Sequence, residues 1–276
     1  MPSPRFEIPD CPTVDVARLR AELGVSAPLA QVLVRRGHAD PARAASFLEC
    51  SEEHPVDAFA DIADSVQEVL RQIREGGTIT VHGDYDVDGV CSTAVLVRAL
   101  GALGARVDHF IPDRSGDGYG LSVPTVNRLA ARGTSLLLTV DCGITAVAEV
   151  EQALALGMRV VISDHHRPAA DGRLPRAPIV HPRISGHPFP DLCGTAVAHK
   201  LARAIVDGAA GAAGPQRVAL ARRQLADDLD LVALATIADL VPLVGENRTL
   251  VRRGLRALAA TTKPGLRALM TVAGLD

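Results

Sequence analysis

Apolar positions between residues 61 and 182 follow two alternating rhythms. Short unbroken runs, TITVHG (78–83), RVDHFI (106–111), SLLLTVD (135–141) and MRVVIS (158–163), read as strands, and PIVHP (178–182) reads as a fifth. Between them lie stretches with helical spacing, at 90–103, 122–132 and 144–156. Ahead of them, residues 61–75 carry Ile62, Val66, Val69 and Ile73 on one helical face and stop at Gly76-Gly77. Further helices are predicted from about Thr195 and through 225–240, with GAAGAAGP (208–215) as a loop between them. Continuous apolar strands alternating with helices predict an α/β fold, a parallel sheet sandwiched by helices. Residues 1 to about 50 read as an irregular start and short helices, one opened by Asp40 as N-cap with Pro41 behind it. The predicted division is a short helical segment over 1–55 and the α/β domain over 56–276.

The polar punctuation of this pattern is acidic. His82, Asp84, Asp86 and Asp88 fall within seven residues directly behind the first strand. Asp141 closes LLLTVD, Asp164-His165-His166 closes VVISDHH, and Asp239 interrupts LATIADLVPL. In an open α/β sheet, ligands bind outside the carboxyl ends of the strands, so residues 82–88, 141 and 164–166 converge on one crevice. Gathering so many carboxylates costs several kcal/mol per ion unless cations compensate them. The pattern therefore predicts one metal site assembled from distant parts of the chain.

Composition narrows the chemistry. Hydrophobic residues make up 47% of the 276 positions but aromatic ones only 3%, with no Trp, so Ala, Val, Leu and Ile must build the core. Lys+Arg (29) nearly balance Asp+Glu (32), which announces no nucleic-acid binder, although an acidic site masks local basic patches in the sum. Five scattered cysteines, odd in number and without a CxxC pair, argue against a zinc-thiolate site and a disulfide framework, and fit a reducing cytoplasm. MPSPRFEIPD lacks the apolar core of a secretory leader, and no run approaches the roughly 18 apolar residues of a membrane span. The expectation is a soluble cytoplasmic protein.

Carboxylate and imidazole ligands without thiolate suit Mn²⁺ or Mg²⁺, and two such ions side by side serve phosphoryl chemistry. A DxDxDG run also suggests a calcium loop, but that loop needs Glu at its twelfth position, which counted from Asp84 is Val95. Asp141 alone reads equally as a helix cap, and Asp164 as the residue that orients the histidines beside it. The glycine-rich IPDRSGDGYGLS (111–122) with Arg114 suits approach to a phosphate backbone or is an ordinary loop. CGTAVAHK (193–200) sets Gly194 and Thr195 at a helix start followed by Lys200, which suits a phosphate or is only a cap. NRTLVRRGLRAL (247–258) reads as a solvated basic helix face.

The ordered set HGDYDVDG, DCGI, SDHH and ATIADLVPL resembles the DHH phosphoesterase superfamily, and within it the RecJ-type single-strand-specific exonucleases. The resemblance spans essentially the whole chain, including LAQVLVRRGHADPARAASFL near its start. It implies a two-metal phosphodiesterase using Mn²⁺ or Mg²⁺ that degrades single-stranded DNA from the 5′ end in repair and recombination. It further implies that Asp86 binds one ion and Asp88 the other, with Asp141 bridging. His165 and Asp239 would complete the second ion's shell, and His82 or Asp84 the first's. His166 would contact the scissile phosphate or move a proton, supported by Asp141 and Asp164, and Arg114 would contact DNA. A single-stranded-DNA-binding protein and a helicase are the implied partners. No GGGH-like segment is present, so the chain reads as the catalytic DHH domain alone, without DHHA1 or OB-fold regions and holding half of a substrate cleft. Competing readings within the superfamily are an oligonucleotide or cyclic-dinucleotide phosphodiesterase and a manganese pyrophosphatase. The roughly 80 residues ahead of the first motif favour the exonuclease. A non-enzymatic relative resembling Cdc45 would have lost ligands that are intact here.

Overall fold

The computed structural model describes residues 8–114, 116 and 118–275. The opening residues 1–7, read as lacking an apolar leader, and Ser115 and Asp117 of the glycine-rich loop lie outside the described residues. The chain divides into two compact units, residues 1–53 with 244–249 and residues 54–243 with 250–276.

The smaller unit contains α1 (Thr13–Leu23), α2 (Ala27–Arg35) and α3 (Pro41–Glu49). Ser26 and Asp40 cap α2 and α3, accepting from the N–H groups of Leu29 and Arg43. Leu19, Ala30, Leu33, Val34 and Ala44 form its core. Arg248, from the 244–249 segment, donates through Nε to the Phe47 carbonyl (2.8 Å) and lies 3.8 Å above the Phe47 ring.

In the larger unit a 3₁₀ turn (Val56–Ala58) leads into α4 (Ile62–Glu75), and the strand–helix alternation then runs as the apolar rhythm predicts. Its elements are β1 (Thr78–His82), α5 (Val87–Ala102), β2 (Arg106–Phe110), α6 (Val123–Ala131), β3 (Thr134–Val140), α7 (Val147–Ala155), β4 (Arg159–Ser163) and β5 (Ile179–Val180). All neighbouring strands pair in parallel, in the order β2-β1-β3-β4-β5. β1, β3 and β4 are buried on both faces, which is why their sequences are apolar without alternation. One face packs Ile79, Val81, Leu136, Leu138 and Val161 against α4, α5 and α8 (Gly194–Gly208). The other packs Leu137, Val160 and Ile162 against α6 and α7. The strand order reverses between β1 and β3, and such a switch point opens a crevice at the carboxyl edge.

Two expectations need correction. The Ala/Gly patch is not a loop: α8 runs through Gly208, and Ala210–Ala213 forms the short α9. Alanine is the strongest helix former, so only Ala209 parts α8 from α9, and Gly214, with a φ of 80°, turns the chain into α10 (Pro215–Asp227). The helix expected through 225–240 is two, α10 and α11 (Leu229–Ala238). Asp228 sits at their junction, fully buried, taking the Nε of Arg98 on both oxygens (3.0 Å each) and the ammonium of Lys263 at 3.0 Å. Lys263 precedes α13 (Pro264–Val272) and also binds Asp230 (2.8 Å), so these ion pairs fix the junction without a Gly or Pro. Between them, α12 (Gly245–Ala259) carries the basic run. Among the described residues, no helix is long and apolar enough to cross a membrane.

Candidate metal centre

β1 delivers the first acidic cluster. Asp84 is buried and its Oδ1 accepts from the Tyr85 N–H (2.8 Å). Asp86 caps α5 through the Gly89 N–H (2.9 Å) and remains exposed. Asp88, one step into α5, is buried against the start of α8. Its Oδ2 accepts from Gly194 N (2.7 Å), and its Oδ1 accepts from Thr195 N (2.7 Å) and the Thr195 hydroxyl (2.6 Å). The N-terminus of α8 thus faces the Asp88 carboxylate.

Asp141 follows β3 in a left-handed conformation (φ 58°), uncommon for any residue but Gly and tolerated chiefly by Asn and Asp among the others. Both of its carboxyl oxygens are buried without a hydrogen-bond partner. Burial and, next, the neighbouring Asp88 push its pKa up to about 10, against the opposing charge of His166. Gly194 makes room for it: a Cβ at 194 would lie 2.4 Å from Asp141 Oδ1 and 2.8 Å from its Cγ.

His165 Nε2 stands among three carboxylates, 3.2 Å from Asp141 Oδ1, 3.6 Å from Asp88 Oδ2 and 3.8 Å from Asp239 Oδ2. Asp239, half-buried at the end of α11, has its pKa raised by burial and further by Asp88 and Asp86. Among the described residues three overlapping ligand groups result, each with donor atoms within 4.8 Å of one another: Asp84-Asp86-Asp141, Asp88-His165-Asp239 and Asp141-His165-His166. Asp141 and His165 each belong to two of them. Buried carboxyl oxygens without partners, crowded by like charge, are the environment that a divalent cation satisfies.

The remaining predicted residues divide. Asp164 is saturated: Oδ1 accepts from His165 N (2.7 Å), His166 N (3.1 Å) and His166 Nδ1 (2.8 Å), and Oδ2 from Ile144 N (2.9 Å). Burial alone would raise its pKa, but these bonds, led by the one from His166, hold it below the usual carboxylate range. The same bond raises the pKa of His166, whose Nε2 reaches the Tyr119 hydroxyl at 3.3 Å. His82 is in none of the three groups; it is buried, with Nδ1 3.6 Å from Cys142 Sγ and its ring beside Phe110. Arg114 is exposed, its guanidinium 5.2 Å from the Tyr85 ring centre.

The phosphate-binding reading of 193–200 is corrected. The N–H groups of Gly194 and Thr195 are taken up by Asp88, and Thr195 is fully buried. Lys200 is buried too, and its ammonium donates to the His54 carbonyl (2.7 Å). Sequence reasoning also passed over Tyr119 and His181. The chain has two tyrosines, and both stand here, with Tyr85 and Tyr119 ring centres 6.3 Å apart and Tyr119 6.1 Å from His166. Their scarcity was the available clue. Beside His166 opens a cavity of about 510 Å³ lined by Tyr119, Ile144, Thr145, Glu149 and Arg167.

Metal binding must displace the proton that burial and Asp88 hold on the Asp141 carboxyl. Mn²⁺ affinity is therefore expected to rise between pH 6 and pH 8, with net proton release. Calorimetric titration in buffers of different ionisation enthalpy checks this; a heat independent of buffer contradicts it.

The family model described as DHH family, N-terminal domain, matches residues 78–236. The single-stranded-DNA-specific exonuclease RecJ of Bacillus subtilis (strain 168) is 38% identical over 280 residues, covering 99% of this chain and 33% of that protein. The exonuclease of the same name from Escherichia coli (strain K12) is 39% identical over 252 residues, covering 88% of this chain and 43% of that protein. The structure of RecJ from Thermus thermophilus in complex with Mn²⁺ superposes with a TM-score of 0.78 at 32% identity, covering 99% of this chain and 37% of that one. The chain thus spans between 33% and 43% of the length of these two curated relatives.

Proposed function

The chain belongs to the DHH family, and from that premise we propose that its centre is that of a two-metal phosphodiesterase hydrolysing single-stranded DNA from the 5′ end, with Mn²⁺ or Mg²⁺ as the ions. The observation that carries the reading is Asp141, whose two buried, unpartnered carboxyl oxygens stand where the ligand groups overlap. Relatives named single-stranded-DNA-specific exonuclease, matched over most of this chain, support the substrate class. The five cysteines are free thiols, which supports a cytoplasmic setting. A single-stranded-DNA-binding protein and a helicase, which present such strands, fit as partners.

Asp84, Asp86 and Asp141 would hold one ion, and Asp88, His165 and Asp239 the other, with Asp141 shared. Two such cations polarise a phosphodiester, activate the attacking water and neutralise the leaving oxygen. The chain's own groups supply the rest. Asp164 holds the proton on His166 Nδ1, which raises the basicity of the ring and keeps its Nε2 edge toward the Tyr119 hydroxyl and the cavity. That edge can donate to a phosphoryl oxygen or carry a proton. Tyr85 and Tyr119 offer faces on which unstacked bases can rest, and Arg114 offers an exposed cation to the backbone.

The test is incubation with Mn²⁺ and, in parallel, 5′-labelled and 3′-labelled single strands, duplex DNA, an RNA dinucleotide, a cyclic dinucleotide and pyrophosphate. Release of labelled mononucleotide from the 5′-labelled single strand is the expected result. Preferential turnover of a dinucleotide or of pyrophosphate overturns it.

A further inference from the structure

His181 lies directly behind β5, with no exposed surface and no place in the three ligand groups. Its Nδ1 accepts from two backbone N–H groups, those of Arg183 (3.1 Å) and Ile184 (3.3 Å). That nitrogen therefore carries no proton. The ring's single proton sits on Nε2, which donates to the backbone carbonyl of His166 at 2.7 Å. The base of this contact is fixed as well. The His181 N–H donates to the Ser185 hydroxyl (3.2 Å), which donates to the Ile179 carbonyl (2.7 Å), and the Ser185 N–H returns to the His181 carbonyl (2.9 Å).

Seen from His166, this donor completes a set. Its N–H and its ring Nδ1 are both held by Asp164 Oδ1, and its carbonyl is held by His181. Only Nε2 faces Tyr119 and the cavity. The His166 side chain is 41% exposed and meets the rings of His165 (4.5 Å) and Tyr119 (6.1 Å) only edge-on, so backbone tethers on both sides of its Cα bear on its orientation.

We propose that His181 is a positioning residue that, through the His166 carbonyl, holds the His166 ring on Asp164 with Nε2 aimed at the substrate. This rests on the reading that His166 acts on the phosphate. A histidine that only fills the core would owe nothing to His166.

Ring nitrogen NMR on the ¹⁵N-labelled, Mg²⁺-bound chain tests the arrangement without any turnover. The wild type should show His181 protonated on Nε2 and bare on Nδ1, and an exchange-protected Nδ1 proton on His166. In His181→Leu that protected proton should be lost. Two-site Mn²⁺ binding should persist, and kcat on single-stranded DNA should fall roughly 10–100-fold at unchanged KM. His181→Asn, which offers a donor and an acceptor on one neutral group, should recover the protected proton and most of kcat. A wild-type His181 protonated on Nδ1 overturns the proposal even if the leucine variant does not fold. So does a folded His181→Leu that keeps both the His166 resonance and wild-type kcat. Absence of cleavage by the wild type would instead refute the nuclease reading, and the NMR comparison would still decide what His181 holds.

Discussion

Asp141→Asn is expected to abolish binding of both ions while raising the melting temperature of the metal-free protein. The amide keeps the size of the carboxyl group, and asparagine is among the side chains that tolerate the left-handed backbone at 141. What it removes is the carboxylate that belongs with Asp84 and Asp86 and also lies 3.2 Å from His165 of the other set. Without metal, that group is a liability. Its carboxyl titrates near 4 in the unfolded chain but near 10 when folded, because burial and the adjacent Asp88 oppose its charge. Across that window the folded state holds a proton that the unfolded state releases, so stability falls as pH rises, by a few kcal/mol at neutrality. The asparagine variant escapes this loss. Its metal-free melting temperature should exceed the wild type's by several degrees at pH 8 and by much less at pH 5. Thermal denaturation with chelator at both pH values, beside an Mn²⁺ titration, decides the matter. Two-site binding by the variant, or a lower metal-free melting temperature at pH 8, contradicts the assignment.

Gly194→Ala should be nearly as damaging, although a methyl group at a helix start is ordinarily harmless. The residue opens α8, and its N–H, like that of Thr195, is fixed on Asp88. The helix cannot retreat without surrendering those bonds. A Cβ placed 2.4 Å from Asp141 Oδ1 must therefore move Asp141. A displacement of about 1 Å at a reacting centre costs on the order of 10²-fold in rate. We expect that loss in kcat together with weakened Mn²⁺ binding and a folded chain by circular dichroism. Wild-type kcat in Gly194→Ala would mean that the close approach of α8 to Asp141 has no functional weight.

These two residues also show where sequence stops being informative. The central strands β1, β3 and β4 were readable because each is buried on both faces and so uninterrupted in its apolar run, and the acids were readable because they end those runs. Asp84, Asp86, Asp141, His165 and Asp239 stand out one by one for the same reason. Pairings across the fold leave no such mark. Thr195 reaches Asp88 across 107 positions and Lys200 reaches the His54 carbonyl across 146, so a Gly-Thr helix start followed by lysine looked like a phosphate cradle. Local spacing leaves both His82 and Asp84 open as company for Asp86; among the described residues it is Asp84 that shares a candidate ligand group with Asp86 and Asp141. The α10–α11 break was hidden because ion pairs from Arg98 and Lys263 make it, not a helix breaker.

The central claim is that Asp141 joins two adjacent metal positions. Crystals of the chain soaked in Mn²⁺ and measured at the manganese absorption edge test it directly. The account predicts two anomalous peaks, one among Asp84, Asp86 and Asp141 and one among Asp88, His165 and Asp239, with the Asp141 carboxylate touching both. A single peak, or a pair that leaves Asp141 without an ion, contradicts it.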